Sequence, residues 1–312
     1  MRIAILVALL ISIAPPALAQ GDSRSITMPL PGRIRISAQW DTLFHTGTDG
    51  YVPLLDTPSG PVPFPTVATF TSWSNVLTVD VDMRDAVFRA ILPFTYEWVR
   101  SPVINTESPA LGNIALEGFA NVDLGAREHR LLMGGGLSLP TADPAAAPTM
   151  ARLIAWEASF RNAPIWTDSS LTLSPAIDYR LAVPWLWVQA IAAVPLFIPT
   201  SGRGGPLARG AVEVMLSLDV TVALRLMNVV DLGVSFLAWT MPSGVGYSPP
   251  SPYAIDLGQT AVTVRLQTDP EIESPLFGGA ELIVDLDREW GPTGTPGKVW
   301  GLRGYIGGRI DV

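Results

Sequence analysis

The sequence predicts an all-β protein: a transmembrane antiparallel up-and-down β-barrel of twelve strands, with a short helix in an extracellular loop. Twelve segments place apolar residues at every second position, which gives each strand one apolar and one polar face. Short and long connections alternate along the chain, as periplasmic turns and extracellular loops do in outer-membrane barrels. The mean hydropathy is +0.33, yet beyond the N-terminus no apolar run approaches the roughly eighteen residues of a transmembrane helix.

The N-terminus has the order of features found in a secretory signal peptide. Arg2 supplies a positive start, an apolar core follows, and Ala17-Leu18-Ala19 forms a small-x-small cleavage site. A transmembrane anchor is the alternative, but the apolar run ends before Pro15 and is too short to cross roughly 30 Å of hydrocarbon. The expected organisation is a signal peptide (1–19), a periplasmic N-terminal segment (20–32) and an outer-membrane β-barrel (33–312).

The composition excludes several classes of function. The chain has no cysteine, so the exported fold does not depend on disulfides. Its formal net charge is −8, which gives no basic surface for nucleic acid. Charged residues make up 15% of the chain, fewer than a soluble exported protein usually carries. This favours a protein whose apolar faces meet lipid.

The first five predicted strands contain two pairs that are joined by short turns. The turn Arg84-Asp85 joins the second and third strands, and residues 125–128 join the fourth and fifth. In the third strand, Phe88 and Leu92 share the apolar face, and Arg89 lies on the opposite face. The predicted ranges are 33–43, 75–83, 86–98, 112–124 and 129–139.

The other seven predicted strands show the same alternation. The eighth has apolar residues at the even positions throughout residues 211–226. In the tenth, the apolar parity changes near Gly258, which indicates either a bulge or a misplaced boundary. The last strand alternates as far as Val312, as the assembly signal of an outer-membrane barrel does. The predicted ranges are 171–182, 185–197, 208–226, 229–240, 254–267, 275–287 and 298–312.

The connections between these strands fall into two classes. Alternation of the two classes is typical of an outer-membrane barrel, whereas a secreted β-sandwich has no reason to show it. The short connections are 84–85, 125–128, 183–184, 227–228 and 268–274, and the long ones are 44–74, 99–111, 140–168, 198–207, 241–253 and 288–297.

Residues 150–160 could form either a thirteenth strand or a short helix. A thirteenth strand would place the loop 198–207 on the side of the short turns and leave an odd strand number, which bacterial single-chain barrels avoid. The preceding Asp143-Pro144 and Pro148-Thr149 are favourable residues for a helix start. We therefore expect a short helix within the extracellular loop 140–168.

A soluble β-sandwich is the main alternative fold, with the polar faces in water. The predicted strands have about 10 to 16 residues, which is long for a sandwich strand of about 5 to 6 but suits a tilted membrane crossing. In a barrel, the charged residues of the polar faces point into the lumen and become candidate selectors of a solute. These candidates are Asp80, Asp82, Arg89, Glu97, Glu117, Asp123, Asp178, Arg180, Glu213, Asp219, Arg225, Glu281, Asp285, Arg303 and Arg309.

Three stretches resemble a known family. Residues 75–98 contain a strand, a tight turn and a strand with Leu-Pro-aromatic, residues 112–124 begin with Gly-Asn-Ile, and residues 131–143 form a glycine-rich strand that leads into Leu-Pro-Thr. These stretches are similar to the outer-membrane barrels grouped as transporters of the phenol meta-pathway degradation type, distant relatives of hydrophobic-compound channels. The resemblance implies an outer-membrane barrel and a channel, and it carries over no binding residue and no cargo.

The sequence predicts no catalytic or metal-binding constellation. The two histidines, His45 and His129, have no Ser or Asp at a spacing that indicates a catalytic pair, and the loops contain no calcium motif. The run Gly134-Gly135-Gly136 is interpreted as a site of close packing or bending. We therefore expect no enzymatic activity, no cofactor and no metal.

The sequence thus predicts an outer-membrane protein of a Gram-negative bacterium, exported through its signal peptide. The first hypothesis is a passive channel or transporter for a small molecule, narrow and selective because twelve strands enclose little space. The alternative is a structural or surface-binding barrel that works through its long extracellular loops without transport. The expected partners are the lipid bilayer of the outer membrane, the barrel-assembly machinery and a small-molecule solute, and no nucleic acid.

Overall fold

Twelve strands form one closed sheet in the part of the chain that the structure describes. The computed structural model describes residues 33–51, 54–57, 60–63, 66–100, 105–125, 128–142, 163–167, 169–201, 211–226, 229–241, 258–268, 275–286 and 298–312. The strands are β1 (Arg35–Tyr51), β2 (Thr66–Asp82), β3 (Ala86–Arg100), β4 (Asn105–Leu111 and Ala115–Val122), β5 (His129–Ser138), β6 (Ser170–Val183), β7 (Leu186–Ala193 and Leu196–Pro199), β8 (Glu213–Val214 and Leu216–Leu226), β9 (Val230–Thr240), β10 (Gly258–Thr268), β11 (Leu276–Asp285) and β12 (Lys298–Asp311).

The sheet closes by pairing its first strand with its last. Each strand pairs antiparallel with its neighbours along the chain, and β1 pairs with both β2 and β12. Past the end of the closing ladder, the Ile34 N–H donates to the Val312 carbonyl and the Val312 N–H to the Ile34 carbonyl, both at 2.9 Å. Closure removes the edge strands that an open sheet would present, and the predicted up-and-down barrel of twelve strands is confirmed.

The outer surface of the barrel is apolar. In β8, the outward side chains Leu216, Leu218 and Leu224 are 42–48% exposed, while Thr221 and Ala223 between them are buried. Exposed apolar side chains also occupy alternate positions in the other strands. An apolar surface that runs around the whole protein is far larger than the patches that soluble monomers expose. This orientation, with the apolar face outward, is what the alternation predicts for a transmembrane barrel.

The first two strands are longer than the sequence predicted. β1 continues to Tyr51 and β2 begins at Thr66, so both run through much of the predicted loop 44–74. A small hairpin, Leu54–Thr57 with Gly60–Pro63, lies between them. The sequence beyond Leu43 is rich in Thr and Gly and lacks apolar alternation, so backbone pairing between β1 and β2, rather than a buried face, extends these strands.

Three strands are interrupted, and each interruption has a local cause. β4 breaks at residues 112–114, where the Asn113 N–H donates to the Ile165 carbonyl at 2.6 Å instead of to a neighbouring strand. β7 breaks at Pro195, which has no N–H. β8 breaks at Met215, whose N–H donates to the Pro195 carbonyl at 2.9 Å and so keeps β7 and β8 in register.

The long connection between β5 and β6 is described near its two ends. Residues 150–160, where a helix was predicted, lie outside the described residues. The described part contains a single turn of 3₁₀ helix, Ala163–Trp166, in which Ile165 and Trp166 are buried. Among the described residues, no helix is long and apolar enough to span a membrane. The predicted parity change near Gly258 falls at the first residue of β10, and residues 251–257 also lie outside the described ranges.

Candidate functional site: the lumen of the barrel

Side chains on the inner face of the sheet fill the lumen. Because side chains alternate along a strand, the buried positions between the exposed apolar ones point inward. Ten of the fifteen predicted lumen candidates are buried on this inner face: Asp80, Asp82, Arg89, Glu117, Asp178, Arg180, Glu213, Asp219, Glu281 and Arg303.

The other five candidates differ from this group. Arg225 in β8 and Arg309 in β12 are partly buried. Glu97 and Asp285 belong to β3 and β11, but their side chains lie outside the described part of the structure.

Asp123 does not line the lumen, so this prediction was wrong. It follows the last residue of β4 and is exposed. Its Oδ1 accepts a hydrogen bond from the Gly125 N–H at 2.8 Å, and Gly125 has a φ of 76°, a conformation that glycine adopts easily. The carboxylate therefore stabilises the turn. The predicted strand extended the period-two pattern to residue 124, whereas β4 ends at Val122.

A first group of paired charges lies on β2, β3 and β4. The register places Asp80 opposite Arg89 and Arg89 opposite Glu117. Arg89 donates from Nε to Asp80 Oδ1 at 2.6 Å and from Nη2 to Asp80 Oδ2 at 3.0 Å, in a bidentate pair. Its Nη1 lies 3.6 Å from Glu117 Oε2. Burial of such charges is tolerated because each has a partner of opposite sign.

A second group crosses the lumen between strands that are not neighbours. Arg130 in β5 donates to Asp82 in β2, with Nη2–Oδ1 and Nη1–Oδ2 distances of 2.8 and 3.2 Å. The two side chains therefore meet in the interior, past β3 and β4. Next to Arg130 in the register is Arg180, which donates to Asp178. Gln189 in β7 donates to the same carboxylate at 3.1 Å.

A third group lies where the barrel closes. Arg303 in β12 donates from Nε to Asp41 Oδ1 in β1 at 2.9 Å and from Nη1 to Glu281 Oε2 in β11 at 3.0 Å. Gln39 donates to the second oxygen of Asp41 at 2.8 Å. One guanidinium thus connects the first strand with the last two.

A fourth group lies on β7 to β10. Trp187 donates from Nε1 to Asp231 Oδ2 at 2.6 Å. Arg265 donates to the hydroxyls of Thr221 and of Ser235, the latter at 2.9 Å. Its guanidinium also lies 5.2 Å from the ring centroid of Trp187, within the range of a cation–π contact.

The buried ionisable residues carry an excess of negative charge. Among the described residues, the buried arginines number five and the buried carboxylates nine. The interior potential is therefore expected to favour cations over anions. The arginines are Arg89, Arg130, Arg180, Arg265 and Arg303, and the carboxylates are Asp41, Asp80, Asp82, Glu117, Asp178, Glu213, Asp219, Asp231 and Glu281.

An apolar cluster lies in the half of the lumen nearer the long loops. Phe197, Met215, Trp239 and Met241 lie near the long-loop ends of β7, β8 and β9 and belong to one contiguous buried cluster. The same cluster includes Ile165 and Trp166 of the 3₁₀ turn, so a piece of the connection between β5 and β6 lies inside the barrel. The charges of the first two groups lie closer to the short turns, and the half nearer the long loops combines this cluster with buried hydroxyls, such as those of Ser72 and Ser74, and with Glu213.

Asn113 holds the inward segment in place. Its Nδ2 donates to the Thr167 carbonyl at 2.6 Å, and its Oδ1 accepts from the Ala142 N–H at 3.1 Å. Ser138 adds a bond from Oγ to the Pro164 carbonyl at 3.3 Å. Residues 163–167, here called the inward segment, thus narrow the lumen beside β4 and β5.

Several lumen residues were missed in the sequence. Arg130 shares its parity with Leu132, so the fifth strand showed no clean polar face. Asp231 and Arg265 alternate with the apolar residues Leu232 and Leu266, and this alternation was sufficient to find them. The sequence pattern did not indicate a role for Asn113. Its hydrogen-bond partner, Thr167, lies 54 residues later and reaches it only in the folded barrel.

The one described histidine side chain has a structural partner. His129 Nδ1 lies 2.6 Å from the hydroxyl of Tyr179, and the rings are 5.8 Å apart. This pair joins β5 to β6 and contains no serine or carboxylate.

The fold has known counterparts. No protein-family model matches the sequence, and no curated protein matches it. Among solved structures, the chain is similar to an outer membrane channel from Pseudomonas putida F1, with a TM-score of 0.58 and 12% identity over 94% of this chain and 100% of that one. This chain has the fold of that channel. Weaker likenesses are to the NanC porin (TM-score 0.45, 11% identity, 86% of this chain and 100% of that one) and to a mutant of the TodX monoaromatic hydrocarbon channel (0.43, 8%, 96% and 99%).

Among the described residues, no group of three or more side chains that could hold a metal ion occurs. Carboxylates of the lumen receive hydrogen bonds from arginines, amides, a hydroxyl and an indole. The arrangement is a narrow interior lined by paired charges, hydroxyls and an apolar cluster. Such an interior suits the selective passage or binding of a small solute.

Proposed function

We propose that this chain is an outer-membrane protein that acts as a narrow, selective and passive channel for a small molecule. One observation supports this most strongly: among the residues that the structure describes, the barrel buries fourteen charged side chains and exposes leucine, valine and phenylalanine on its outer face. A soluble protein has the reverse distribution, because exposed apolar surface costs about 25 cal/mol per Å² in water.

The outer surface supports a place in the lipid bilayer. Strands that cross lipid must satisfy their backbone groups within the sheet, and the closed ladder does so. The signal peptide predicted at residues 1–19 would bring the chain to the periplasm, from which the barrel-assembly machinery would insert it. We propose the outer membrane of a Gram-negative bacterium as its location.

The filled lumen supports selectivity rather than general permeability. Arg130 and Asp82 meet inside the barrel, and the inward segment narrows it again nearer the long loops. A hydrated pore of the general porin type needs an open interior, but these side chains occupy the space that such a pore would require. Solutes would therefore pass slowly and one at a time.

A narrower assignment rests on the sequence motifs alone. The stretches that resemble transporters of the phenol meta-pathway degradation type form β2 to β5 of the barrel, including the bidentate pair of Asp80 and Arg89. We propose this relationship for the architecture and not for the cargo. A structural or surface-binding barrel without transport is not favoured, because it does not require an inner face lined by paired charges and hydroxyls.

Conductance in planar bilayers tests the proposal. The refolded protein is first checked for a folded barrel by its heat-modifiable mobility on a gel. We expect small, discrete current steps, lower than those of a general porin, because the described lumen is filled. A folded barrel that inserts and carries no current and no solute would contradict the channel function and leave a structural role.

A further inference from the structure

The inward segment is bonded to the wall of the barrel through its backbone carbonyls. The Asn113 N–H donates to the Ile165 carbonyl at 2.6 Å, and Asn113 Nδ2 donates to the Thr167 carbonyl at 2.6 Å. From β5, Ser138 Oγ donates to the Pro164 carbonyl at 3.3 Å. β4 is interrupted at the place where it makes these bonds, so this part of the wall receives the segment instead of continuing its own ladder.

The side chains of the inward segment lie among apolar residues of the lumen. Ile165 and Trp166 are each 2% exposed, and they belong to the same buried cluster as Phe197 in β7 and Met215 in β8. On the other side, a Cβ at Gly112 would lie 2.5 Å from the Ile165 carbonyl oxygen and 2.8 Å from the Trp166 ring. The segment therefore rests directly on the backbone of β4 and blocks part of the cross-section of the lumen.

Ser169 connects the inward segment to β6 in a strained conformation. Its φ is 43°, and it is the one residue other than glycine with a positive φ in the part of the chain that the structure describes. A residue with a Cβ adopts this conformation rarely and at a cost in free energy. The Ser169 carbonyl is fixed, because Thr200 donates to it from its N–H and from its Oγ1, both at 2.7 Å.

Rotation about the N–Cα bond of Ser169 would move the inward segment and leave β6 in place. The anchored carbonyl lies on one side of this bond, and the inward segment precedes Ser169 on the other side. A return of φ from 43° to a favoured value of about −60° is a rotation of about 100°. Such a rotation carries the segment away from the wall, so the release of backbone strain favours the undocked state.

A second feature also opposes docking. The indole N–H of Trp166 is buried and has no hydrogen-bond partner among the described residues. A buried donor without an acceptor is unfavourable, and water accepts from it once the segment leaves the wall. Three hydrogen bonds and apolar burial thus favour the docked state, while backbone strain and one unsatisfied donor oppose it. Segments with such opposed contributions open locally in folded proteins.

We propose that the inward segment is the gate of the channel: it closes the conducting path when it is docked on Asn113, and it opens the path by swinging about Ser169. The barrel itself stays folded in both states, because the segment leaves the strands and their ladders unchanged. This inference rests on the proposed channel function and names how passage through the same lumen is regulated.

The test uses single-channel currents of the full protein in planar bilayers, and the quantity measured is the ratio of time at high current to time at low current. In the wild type we expect two levels, of which the lower is the docked state. Asn113→Ala removes one hydrogen bond to the segment and should raise the ratio about fivefold. Ser169→Gly relieves the strain of the docked state and should lower the ratio about threefold, since the freedom of glycine in the undocked state offsets part of the gain.

Two variants serve as matched controls. Ser169→Ala keeps a Cβ and therefore the strain, and Asn121→Ala removes an amide from the other end of β4; both should keep the wild-type ratio. A wild type that conducts at one steady level would overturn the gate and leave the channel, and so would Asn113→Ala and Ser169→Gly ratios that do not move in opposite directions. Current in Asn113→Ala alone would support a gate that stays closed in the wild type. Folded barrels without current in either protein would overturn the channel function and the gate together.

Discussion

The Asn113 side chain is hydrogen-bonded to the inward segment, which makes Asn113→Ala an informative perturbation. The substitution removes the bonds to the Thr167 carbonyl and from the Ala142 N–H and keeps the backbone bond from Asn113 to Ile165. The bond to the Thr167 carbonyl joins the side chain to the inward segment, whereas Ala142 lies outside residues 163–167. A neutral hydrogen bond contributes about 1 kcal/mol net, so the docked segment should lose about 1 kcal/mol. At 1.4 kcal/mol for each factor of ten, the undocked population should rise about fivefold.

Thiol labelling measures this population directly, because the chain contains no cysteine. Ile165, which is 2% exposed, is replaced by Cys, and the rate of modification by a water-soluble thiol reagent is compared with and without Asn113→Ala. When the segment redocks faster than the thiol reacts, the rate follows the open population. We expect labelling about fivefold faster in the double variant.

The control removes a comparable amide from the other end of the same strand. Asn121 donates from Nδ2 to the Arg84 carbonyl at 2.9 Å, near the short turn. Asn121→Ala should leave the labelling of Ile165→Cys unchanged. An unchanged rate in Asn113→Ala would refute the role of Asn113, and equal acceleration in both variants would show that the whole barrel had loosened.

Three further predictions concern packing, charge pairing and selectivity. In Gly112→Ala, the new Cβ would lie 2.5 Å from the Ile165 carbonyl oxygen and 2.8 Å from Trp166, so we expect an unfolding free energy lower by about 1–3 kcal/mol. In the control Gly118→Ala, the new Cβ would lie 3.5 Å from Phe88, an ordinary contact distance, and the substitution should be tolerated. Equal effects of the two substitutions would contradict the close packing around Gly112. Asp82→Asn leaves the buried charge of Arg130 without its carboxylate and should lower the unfolding free energy by about 3–5 kcal/mol, whereas Asp311→Asn, in the partly exposed pair with Arg35, should change it by less than about 1 kcal/mol. The excess of buried carboxylates predicts that the channel prefers K⁺ to Cl⁻, which the sign of the reversal potential in a KCl gradient would show. A preference for Cl⁻ would contradict this prediction.

The barrel was predictable because one pattern repeats in every strand, with apolar side chains at the outward positions. Leu216, Leu218 and Leu224 are outward for the same reason as Leu232 in the next strand, and such repetition can be read from sequence alone. The prediction failed where this apolar alternation stops. Beyond Leu43, β1 is extended by backbone pairing with β2, and backbone pairing produces no apolar pattern in the sequence.

The interior was less predictable, because its arrangement depends on contacts between distant parts of the chain. The alternation indicated that Asp82 faces inward, but it gave no partner for Asp82, since Arg130 lies three strands away. It also misplaced Asp123, whose carboxylate is used in a turn. The inward segment and its bonds to Asn113 have no counterpart in any local pattern, because local periodicity reports a residue's face and not what reaches it across the lumen.

A blocking measurement at Ser174 tests most directly whether ions and solutes pass through the lumen of the barrel. Ser174→Cys introduces the sole thiol of the chain at a fully buried position of the inner face. Single channels of this variant are recorded before and after a bulky thiol reagent is added, and mass spectrometry confirms modification. The account predicts a stepwise loss of most of the current in each modified channel, with no change in the wild type. A current that persists in fully modified protein would show that the conducting path lies elsewhere.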